Sequence, residues 1–503
     1  IRILKENGYN AIRSAHNPCS KALLEACDRL GMLVMDEYVD AWYIHKTEYD
    51  YVNNMRKWWK TDLKEMVEKD YNHPCVIMYS TGNEVAETAQ KEGIELTSEM
   101  TKYLHSLDAS RPVTCGINIF FNFLSSIGFG VYSDEKAKES AKKSAKDKPV
   151  GSEFYNTLAG LLGDRVMKFG ATLYPCDLKT KDAFAGMDIA GYNYGIYRYK
   201  HDLKKYPNRL ILGSETFCRD AYLFWEVAKK NPGIIGDFVW AGMDYIGEAG
   251  IGAWEYSDYA PQNAPKEGWL TAGSGRIDIL GNPNGEALYT KVVLEQTDEI
   301  FIAVKPVYQK GNHSPSAWKM TDAVPSWSYR GCEGYTATIE VYARAEKVAL
   351  FLNGALIGEK KLKKTCRVIF HAKYQNGILK AVAYDELGNV MRETQLETAS
   401  EQTQLLLQPE LSMVKPEGLI YIPLCYTDEA GIWKPMEKHE LVIKVAKGKL
   451  KGFGNACSYN PQGYQKNKIS TYYGRAMAVV QADDTGHALF MIKDETSEYT
   501  IKI

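Results

Sequence analysis

The feature that most constrains the fold is a regular alternation of short apolar runs and helical segments over roughly the first 290 residues. Between the first two runs, the segment "SKALLEACDRLG" carries apolar residues at helical spacing, with Ser20 as a candidate N-cap and Gly31 as a candidate C-cap. Strands that alternate with helices indicate a parallel sheet, either open or closed into a barrel. The predicted strands are residues 11–14, 32–35, 76–80, 113–115, 189–192, 210–213 and 234–240.

A (β/α)8 barrel fits this alternation better than a dinucleotide-binding sheet, because no glycine-rich phosphate fingerprint follows the first strand. Residue 1 falls within what reads as the first barrel helix, so we expect the first strand to precede it. The barrel is therefore predicted to be N-terminally incomplete, and the chain to be a fragment that is poorly active alone. Barrel closure needs every strand to find two neighbours.

Composition and charge exclude several classes of function. The chain is 45% hydrophobic and 25% charged, which is typical of a globular protein, and its net charge of −2 favours neither nucleic acid nor an acidic membrane surface as a partner. No stretch approaches the roughly 20 apolar residues of a membrane span. The ten cysteines are scattered without metal-binding spacing, which predicts a reduced, cytoplasmic chain.

Polar and aromatic residues stand at the ends of successive predicted strands. In a (β/α)8 barrel the active site is built where strands end and loops begin. We therefore expect these side chains to converge on one cleft. They are Arg13, His16, Asp36, Glu37, Asn83, Glu84, Asn193, Tyr194, Glu215, Trp240 and Asp244.

Glu84 and Glu215 are the two carboxylates that this pattern singles out. When the first strand expected before residue 1 is counted, they follow strands four and seven of the barrel. These two strands face each other across the mouth of a barrel. Two facing carboxyl groups about 5 Å apart are what retaining glycoside hydrolysis requires. In such a site Asn83 would bond a sugar hydroxyl, Tyr194 would hold Glu215 in its charged form, and Trp240 would offer a flat face to the sugar ring.

Six segments stand in order along the first 290 residues: "NGYNAIRSAHNP", "CDRLGMLVMDEY", "NHPCVIMYSTGNE", "IAGYNYG", "LILGSETF" and "GDFVWAGMDYIGE". Together they resemble glycoside hydrolase family 2, a family of β-galactosidases, β-glucuronidases and β-mannosidases. The resemblance implies Glu84 as acid/base, Glu215 as nucleophile, and His16, Asn83, Tyr194 and Trp240 as sugar-site residues. It also implies that a sugar-binding β-sandwich and an immunoglobulin-like domain precede the barrel.

The resemblance also bears on metal and on sugar preference. Metal-using β-galactosidases of the family carry Glu-x-His after the third strand, where this chain has Ala41 and Tyr43, so we expect no metal and no other cofactor. Glucuronidases of the family carry Asn-x-Lys, which this chain lacks. The prediction is a retaining exo-β-glycosidase for terminal β-D-galactosides with a carbohydrate substrate as partner. β-Glucuronidase, β-mannosidase and a non-catalytic carbohydrate-binding scaffold stay open, as does a homo-oligomer.

Three features are given structural interpretations. The Asp36–Glu37 pair is predicted to bond barrel neighbours such as Arg13. His73 is predicted to end a helix. The segment "DEKAKESAKKSAKDK", residues 134–148, is predicted to be a solvated loop, since it carries charges with almost no apolar residue.

After Glu295 the pattern changes to short alternating strands with turns. Asn353–Gly354 stands between two strand-like runs, which is a strong hairpin signal. The predicted fold class is therefore α/β plus all-β, with a barrel at 1–294 and two immunoglobulin-like β-sandwiches at 295–397 and 398–503. We expect these sandwiches to be spacers rather than separate carbohydrate-binding modules.

Overall fold

The computed structural model describes residues 1–131, 152–261, 267–311, 316–410 and 415–503. These residues form two compact units, 1–240 and 241–503. The lysine-rich segment 134–148, predicted to be a solvated loop, lies outside the described residues. The predicted domain boundaries at 294 and 397 stay predictions.

The first unit is built on seven parallel strands that pair in chain order. The first of them comes near the seventh, so that the sheet forms a nearly closed barrel. All seven predicted strands are confirmed, although five of them run further than predicted, to Glu37, Asn83, Asn118, Asn193 and Thr216. The strands are β1 (Ala11–Arg13), β2 (Leu33–Glu37), β3 (Val76–Asn83), β4 (Val113–Asn118), β5 (Ile189–Asn193), β6 (Leu210–Thr216) and β7 (Ile234–Val239).

Helices alternate with these strands, and their ends follow local sequence signals. The Ser20 hydroxyl accepts a 3.2 Å bond from the Leu23 amide, and Gly31 adopts a left-handed φ of 68°, so both predicted caps of the second helix are confirmed. No helix in the described part of the chain is long and apolar enough to cross a bilayer. The helices are α1 (Arg2–Glu6), α2 (Lys21–Leu30), α3 (Val52–Asp70), α4 (Lys91–Leu107), α5 (Ile119–Ser126), α6 (Ser152–Gly170), α7 (Tyr174–Ala185), α8 (Tyr199–Lys205) and α9 (Ala221–Ala228).

Apolar side chains from four of the barrel strands pack together. Met35, Met78, Ile189 and Leu212 form one buried cluster, with Phe238 packed against it. Polar residues come two to five positions after these apolar ones on β3 and β6, where the strands end. The strands thus carry a packed apolar layer and then a polar layer at their carboxyl ends.

The second unit contains α10 (Gly285–Val293) and antiparallel sheets. The strands are β8 (Phe301–Val304), β9 (Thr336–Tyr342), β10 (Lys347–Leu352), β11 (Ala355–Lys361), β12 (Arg367–Lys373), β13 (Ile378–Tyr384), β14 (Val390–Glu397), β15 (Gln404–Leu407), β16 (Leu419–Thr427), β17 (Glu440–Lys447), β18 (Lys449–Gly454), β19 (Lys468–Ser470), β20 (Arg475–Gln481), β21 (Leu489–Lys493) and β22 (Glu498–Lys502). Two sheets, β11-β10-β13-β14 and β12-β9-β8, enclose one apolar core, and two more, β15-β16-β20-β18 and β19-β17-β21-β22, enclose another. This arrangement confirms the predicted β-sandwich class.

Two smaller predictions can be compared with this fold. Asn353 and Gly354, with φ values of 50° and 82°, form the tight turn between β10 and β11, so the predicted hairpin is confirmed. All ten cysteines are free thiols. The predicted cytoplasmic location stays a prediction.

Candidate active site

The two carboxylates stand at the carboxyl ends of β3 and β6. Glu84 immediately follows β3 and adopts a left-handed φ of 48°, and Tyr194, after β5, has a φ of 55°. Their amides are fixed by neighbouring strands: Glu84 donates to the Gly116 carbonyl at 2.7 Å, and Tyr194 donates to the Glu215 carbonyl at 2.8 Å. Bulky residues in this region of φ cluster at functional sites, where the surrounding structure maintains the strain.

Arg13, at the end of β1, connects the groups of this polar layer. Its guanidinium donates to both oxygens of Glu37 at 2.9 and 3.0 Å, to Glu215 Oε1 at 2.9 Å and to Asn83 Oδ1 at 2.8 Å. The side chain is only 3% exposed. A buried bidentate ion pair of this kind is strong only because every donor is used. The prediction that Glu37 bonds Arg13 is confirmed.

Glu37 is a permanently charged partner. Burial alone would raise its pKa, but Arg13 at 2.8 Å, His16 and the Ser80 hydroxyl outweigh burial and lower the pKa to about 2. Asp36 bonds elsewhere, accepting from the Ser14 hydroxyl at 2.5 Å and pairing with Lys69 at 2.8 Å. Both acids of the Asp36–Glu37 pair therefore have the predicted structural role.

Amide side chains orient Glu84. Asn118 Nδ2 donates to Glu84 Oε1 at 2.9 Å, and Asn193 Nδ2 donates to the same oxygen at 3.1 Å and to Asn83 Oδ1 at 2.8 Å. The Ser214 hydroxyl in turn donates to Asn193 Oδ1 at 2.6 Å, which fixes the direction of that amide. One hydrogen-bonded path, through Asn193, Asn83 and Arg13, thus joins Glu84 to Glu215.

Glu215 is 4% exposed and lies in the same network. Burial raises its pKa, Arg13 opposes this, Glu84 adds a like charge that raises it further, and His16 lowers it. The result is a pKa raised above the ordinary value of glutamate. Arg13 is the cation that favours the ionised form, which a nucleophilic carboxylate needs.

His16 and Trp240 close one side of the network. Their rings stack at a centroid distance of 5.0 Å and an angle of 3°. His16 Nδ1 lies 2.7 Å from Glu37 Oε1, while its Nε2 lies 3.3 Å from Asn83 Nδ2 and 3.7 Å from Glu215 Oε1. The structure therefore brings together five of the six predicted site residues: His16, Asn83, Glu84, Glu215 and Trp240.

Tyr194, the sixth, is placed beside this group by its backbone bond to Glu215. Its ring packs against Phe217 at a centroid distance of 4.4 Å, and the residue is 4% exposed. The predicted bond from its hydroxyl to the Glu215 carboxylate stays a prediction.

Two residues near Glu84 were missed by the sequence interpretation. Asn118 was missed because the predicted strand stopped at Cys115, although β4 continues through Gly116 and ends on an asparagine, as β3 and β5 do. Lys46 was missed because it lies in a loop without any periodic pattern. Its Nζ donates to the Asn83 carbonyl at 3.1 Å.

Gly116 leaves the space that this network fills. A Cβ atom at this position would lie 3.1 Å from Arg13 Nη2, from Asn83 Oδ1 and from Asn193 Oδ1. Gly116→Ala is expected to displace these groups and to lower turnover by about tenfold to a hundredfold, since a misplacement of about 1 Å can have that effect. Steady-state kinetics beside the melting temperature tests this. Unchanged turnover would show that the network tolerates displacement.

Ala41 and Tyr43 stand where the resemblance predicted the ligands of a metal-using β-galactosidase. Ala41 is fully buried and has no ligating atom, and Tyr43 lies with its ring under Arg56. Among the described residues, Asp28, His73 and Cys75 are close enough together to share an ion. Cys75 directly precedes β3, at the strand end opposite Glu84, and the Asp28 carboxylate already bonds the His73 ring at 2.6 Å and the Cys75 amide at 3.0 Å.

His73 has the predicted structural role, since its amide donates at 2.8 Å to the carbonyl of Asp70, the last residue of α3. That the chain needs no metal stays a prediction. Prolonged treatment with a chelator is expected to leave turnover unchanged, because Ala41 and Tyr43 cannot replace a carboxylate and an imidazole. A large loss in chelator that Mg²⁺ restores would contradict it.

Two parts of the chain match sequence profiles of the same family. Residues 1–157 match "Glycosyl hydrolases family 2, TIM barrel domain", and residues 411–498 match "Glycoside hydrolase family 2 C-terminal domain 5". Residues 334–392 match a domain of unknown function.

Individual relatives agree with this assignment. A family 2 glycosyl hydrolase from Bacteroides cellulosilyticus of known structure is 30% identical, with a TM-score of 0.81 over 100% of this chain and 58% of its own. "Beta-galactosidase BoGH2A" of Bacteroides ovatus is 27% identical over 96% of this chain and 55% of its own. A "Putative beta-glucuronidase" of Formosa agariphila is 28% identical over 80% of this chain and 35% of its own. The chain thus spans about half the length of the first two relatives. The family matches at both ends of the chain show that it carries domains of glycoside hydrolase family 2.

Proposed function

We propose that this chain carries the catalytic site of a retaining exo-β-glycosidase that hydrolyses terminal β-D-galactosides. The observation that carries the proposal is the single hydrogen-bonded path that joins Glu84 to Glu215 through two amides and Arg13. The family 2 domains and the position of both carboxylates at carboxyl strand ends support the same chemistry.

In the proposed reaction Glu215 attacks the anomeric carbon and Glu84 protonates the departing oxygen. The glycosidic C–O bond breaks, its electron pair stays on that oxygen, and a covalent sugar ester forms on Glu215. In the second step the Glu84 carboxylate removes a proton from water, which attacks the anomeric carbon and releases Glu215. Two inversions give retention.

The surrounding residues supply orientation and charge. Arg13 favours ionised Glu215 before attack, and Asn118 and Asn193 aim one oxygen of Glu84. Asn83, aligned by Arg13 and Asn193, is assigned to the sugar hydroxyl next to the anomeric carbon, where hydrogen bonds strengthen in the transition state. Trp240, stacked on His16, is assigned to the apolar face of the ring.

Galactose is proposed as the sugar on two grounds. The relative from Bacteroides ovatus that aligns with 96% of the chain is named a β-galactosidase. The chain also lacks the Asn-x-Lys pattern associated with a uronic acid carboxylate. β-Glucuronidase is the second candidate, because the aligned relative from Formosa agariphila bears that name. A non-catalytic scaffold is disfavoured, since both carboxylates are retained and oriented.

Turnover of 4-nitrophenyl β-galactoside, β-glucuronide and β-mannoside by the full-length protein tests the proposal. The galactoside is expected to be cleaved with the highest kcat/KM, and the first product seen by NMR is expected to be the β-anomer. Preference for the glucuronide would transfer the assignment to the second candidate. No cleavage of any of the three by a folded full-length protein would exclude the proposed function.

A further inference from the structure

Lys46 lies in the loop between β2 and α3 and reaches the polar layer of the barrel. Its side chain is 16% exposed, and its Nζ donates to the Asn83 carbonyl at 3.1 Å and lies 3.4 Å from Asp40 Oδ2. The Asn83 carbonyl belongs to the peptide bond that leads into Glu84, whose own amide bonds Gly116. Both the carbonyl group and the amide group of that peptide bond are therefore hydrogen-bonded.

The loop around Lys46 is itself fixed, so the position of the ammonium group is set. The Asp50 carboxylate accepts from the amides of Lys46 and Thr47 at 2.7 and 3.1 Å and lies 2.8 Å from His45 Nδ1. The Asp50 side chain thus bonds three successive residues, His45, Lys46 and Thr47. A lysine that merely covered the surface would need no such anchoring.

The charge of Lys46 is coupled to both candidate catalytic carboxylates. Burial lowers its pKa, but Asp40, Glu84 and Glu215 outweigh burial and raise it above the ordinary value. The ammonium group therefore stays protonated over the range in which glycosidases work.

We propose that Lys46 is a positioning residue for the acid/base carboxyl, which it serves by anchoring the Asn83–Glu84 peptide and by stabilising the negative charge that Glu84 acquires. This inference rests on the proposed function. In the first step the proton of Glu84 passes to the leaving oxygen as the C–O bond breaks, while Glu215 gives up its charge in forming the ester. Negative charge thus moves from Glu215 to Glu84, and this movement is favoured because Lys46 interacts more strongly with Glu84 than with Glu215.

The importance of this stabilisation depends on the leaving group. A phenolate is a poor leaving group and needs protonation as it departs, whereas 2,4-dinitrophenolate leaves without a proton. A defect in proton donation therefore lowers kcat/KM for the phenyl glycoside and spares the dinitrophenyl glycoside. General distortion of the site lowers kcat/KM equally for the two substrates, because they carry the same sugar, which must be bound and attacked in the same way.

The test compares kcat/KM for phenyl and 2,4-dinitrophenyl glycosides of whichever sugar the full-length protein cleaves. Lys46→Met removes the charge and the donor, and Lys46→Gln keeps a donor for the Asn83 carbonyl without the charge. Lys64→Met is the matched control, since Lys64 is a 56% exposed lysine paired with Glu68 on α3. Cleavage of the dinitrophenyl substrate also shows that each variant is folded.

We expect kcat/KM of both Lys46 variants to fall by about tenfold to a hundredfold with the phenyl glycoside, which is part of the usual contribution of a general acid. With the dinitrophenyl glycoside we expect kcat/KM to fall by less than about threefold, because that leaving group needs no proton. The Lys64 control is expected to match the parent with both substrates. Equal losses on the two substrates, or none, in either Lys46 variant would overturn the proposal. A parent protein that cleaves no glycoside would instead remove the proposed function and this inference with it.

Discussion

Glu215→Gln is expected to lower turnover of an aryl β-galactoside by at least about three orders of magnitude, because the amide cannot form the covalent sugar ester. Glu84→Gln is expected to lower kcat/KM for a phenyl glycoside by about a hundredfold to ten-thousandfold, which is the usual contribution of a general acid. Steady-state kinetics on the full-length protein measures both.

The two variants are expected to differ in chemical rescue. Azide can take over the attack on the sugar ester when Glu84→Ala lacks the base, and the product is the β-glycosyl azide. In Glu215→Ala azide attacks the substrate itself from the opposite face and gives the α-glycosyl azide. NMR of the products distinguishes these outcomes, so the roles of the two carboxylates can be assigned individually.

A surface glutamate provides the control for these losses. Glu92 is 60% exposed and pairs with Arg56, so Glu92→Gln is expected to keep the turnover of the parent. An α-anomer as the first product of the parent protein would contradict a retaining mechanism. Identical azide products from both alanine variants would contradict the division of roles.

The fold was predictable from the sequence to the extent that it depends on hydrophobic periodicity. Apolar runs alternating with helices specified the seven strands, because each run has to be buried on the barrel. The end of β4 was not predictable in this way, since Gly116 interrupts the apolar run and Asn118 looks like a loop residue. A glycine is needed at this position because Arg13, Asn83 and Asn193 come close to where a side chain would lie. No local sequence pattern indicates such a contact.

The site was predictable where residues stand at strand ends, as Glu84 and Glu215 do, and less so where long-range contacts define their roles. Arg13 was expected to be a partner of Glu37, yet it also bonds Glu215, which lies about 200 positions further along the chain. Lys46 gave no signal, because loop positions depend on anchoring contacts such as those of Asp50. Periodicity reports burial, and it does not report which polar groups meet.

Arg13→Met is expected to have the largest combined effect on stability and activity. The guanidinium neutralises Glu37 and Glu215, whose side chains are 0% and 6% exposed, so its removal leaves two buried carboxylates without their shared cation. Breaking a buried ion pair on one side typically costs about 3–5 kcal/mol of unfolding free energy. Turnover is expected to fall by more than about a hundredfold, because Asn83 and Glu215 lose the donor that aligns them.

Arg111→Met separates these effects. Arg111 precedes β4 at the amino end of the strands, pairs with Asp108 and donates to the Val76 carbonyl at 2.6 Å. Its loss is expected to lower stability while leaving turnover per folded molecule unchanged. Chemical denaturation and active-site titration of the two variants provide the comparison. Normal turnover in Arg13→Met would show that Arg13 is only a structural cation.

The double variant Arg13→Met/Glu37→Gln distinguishes charge from geometry. The neutral amide that replaces the Glu37 carboxylate keeps groups that can bond His16 and Ser80, so the double variant is expected to regain much of the stability that Arg13→Met alone loses. It is expected to remain poorly active, because Glu215 still lacks the cation that favours its ionised form and Asn83 still lacks its donor. Recovery of stability without recovery of turnover would assign Arg13 both roles: counter-charge to Glu37 in the fold and support of Glu215 in the reaction.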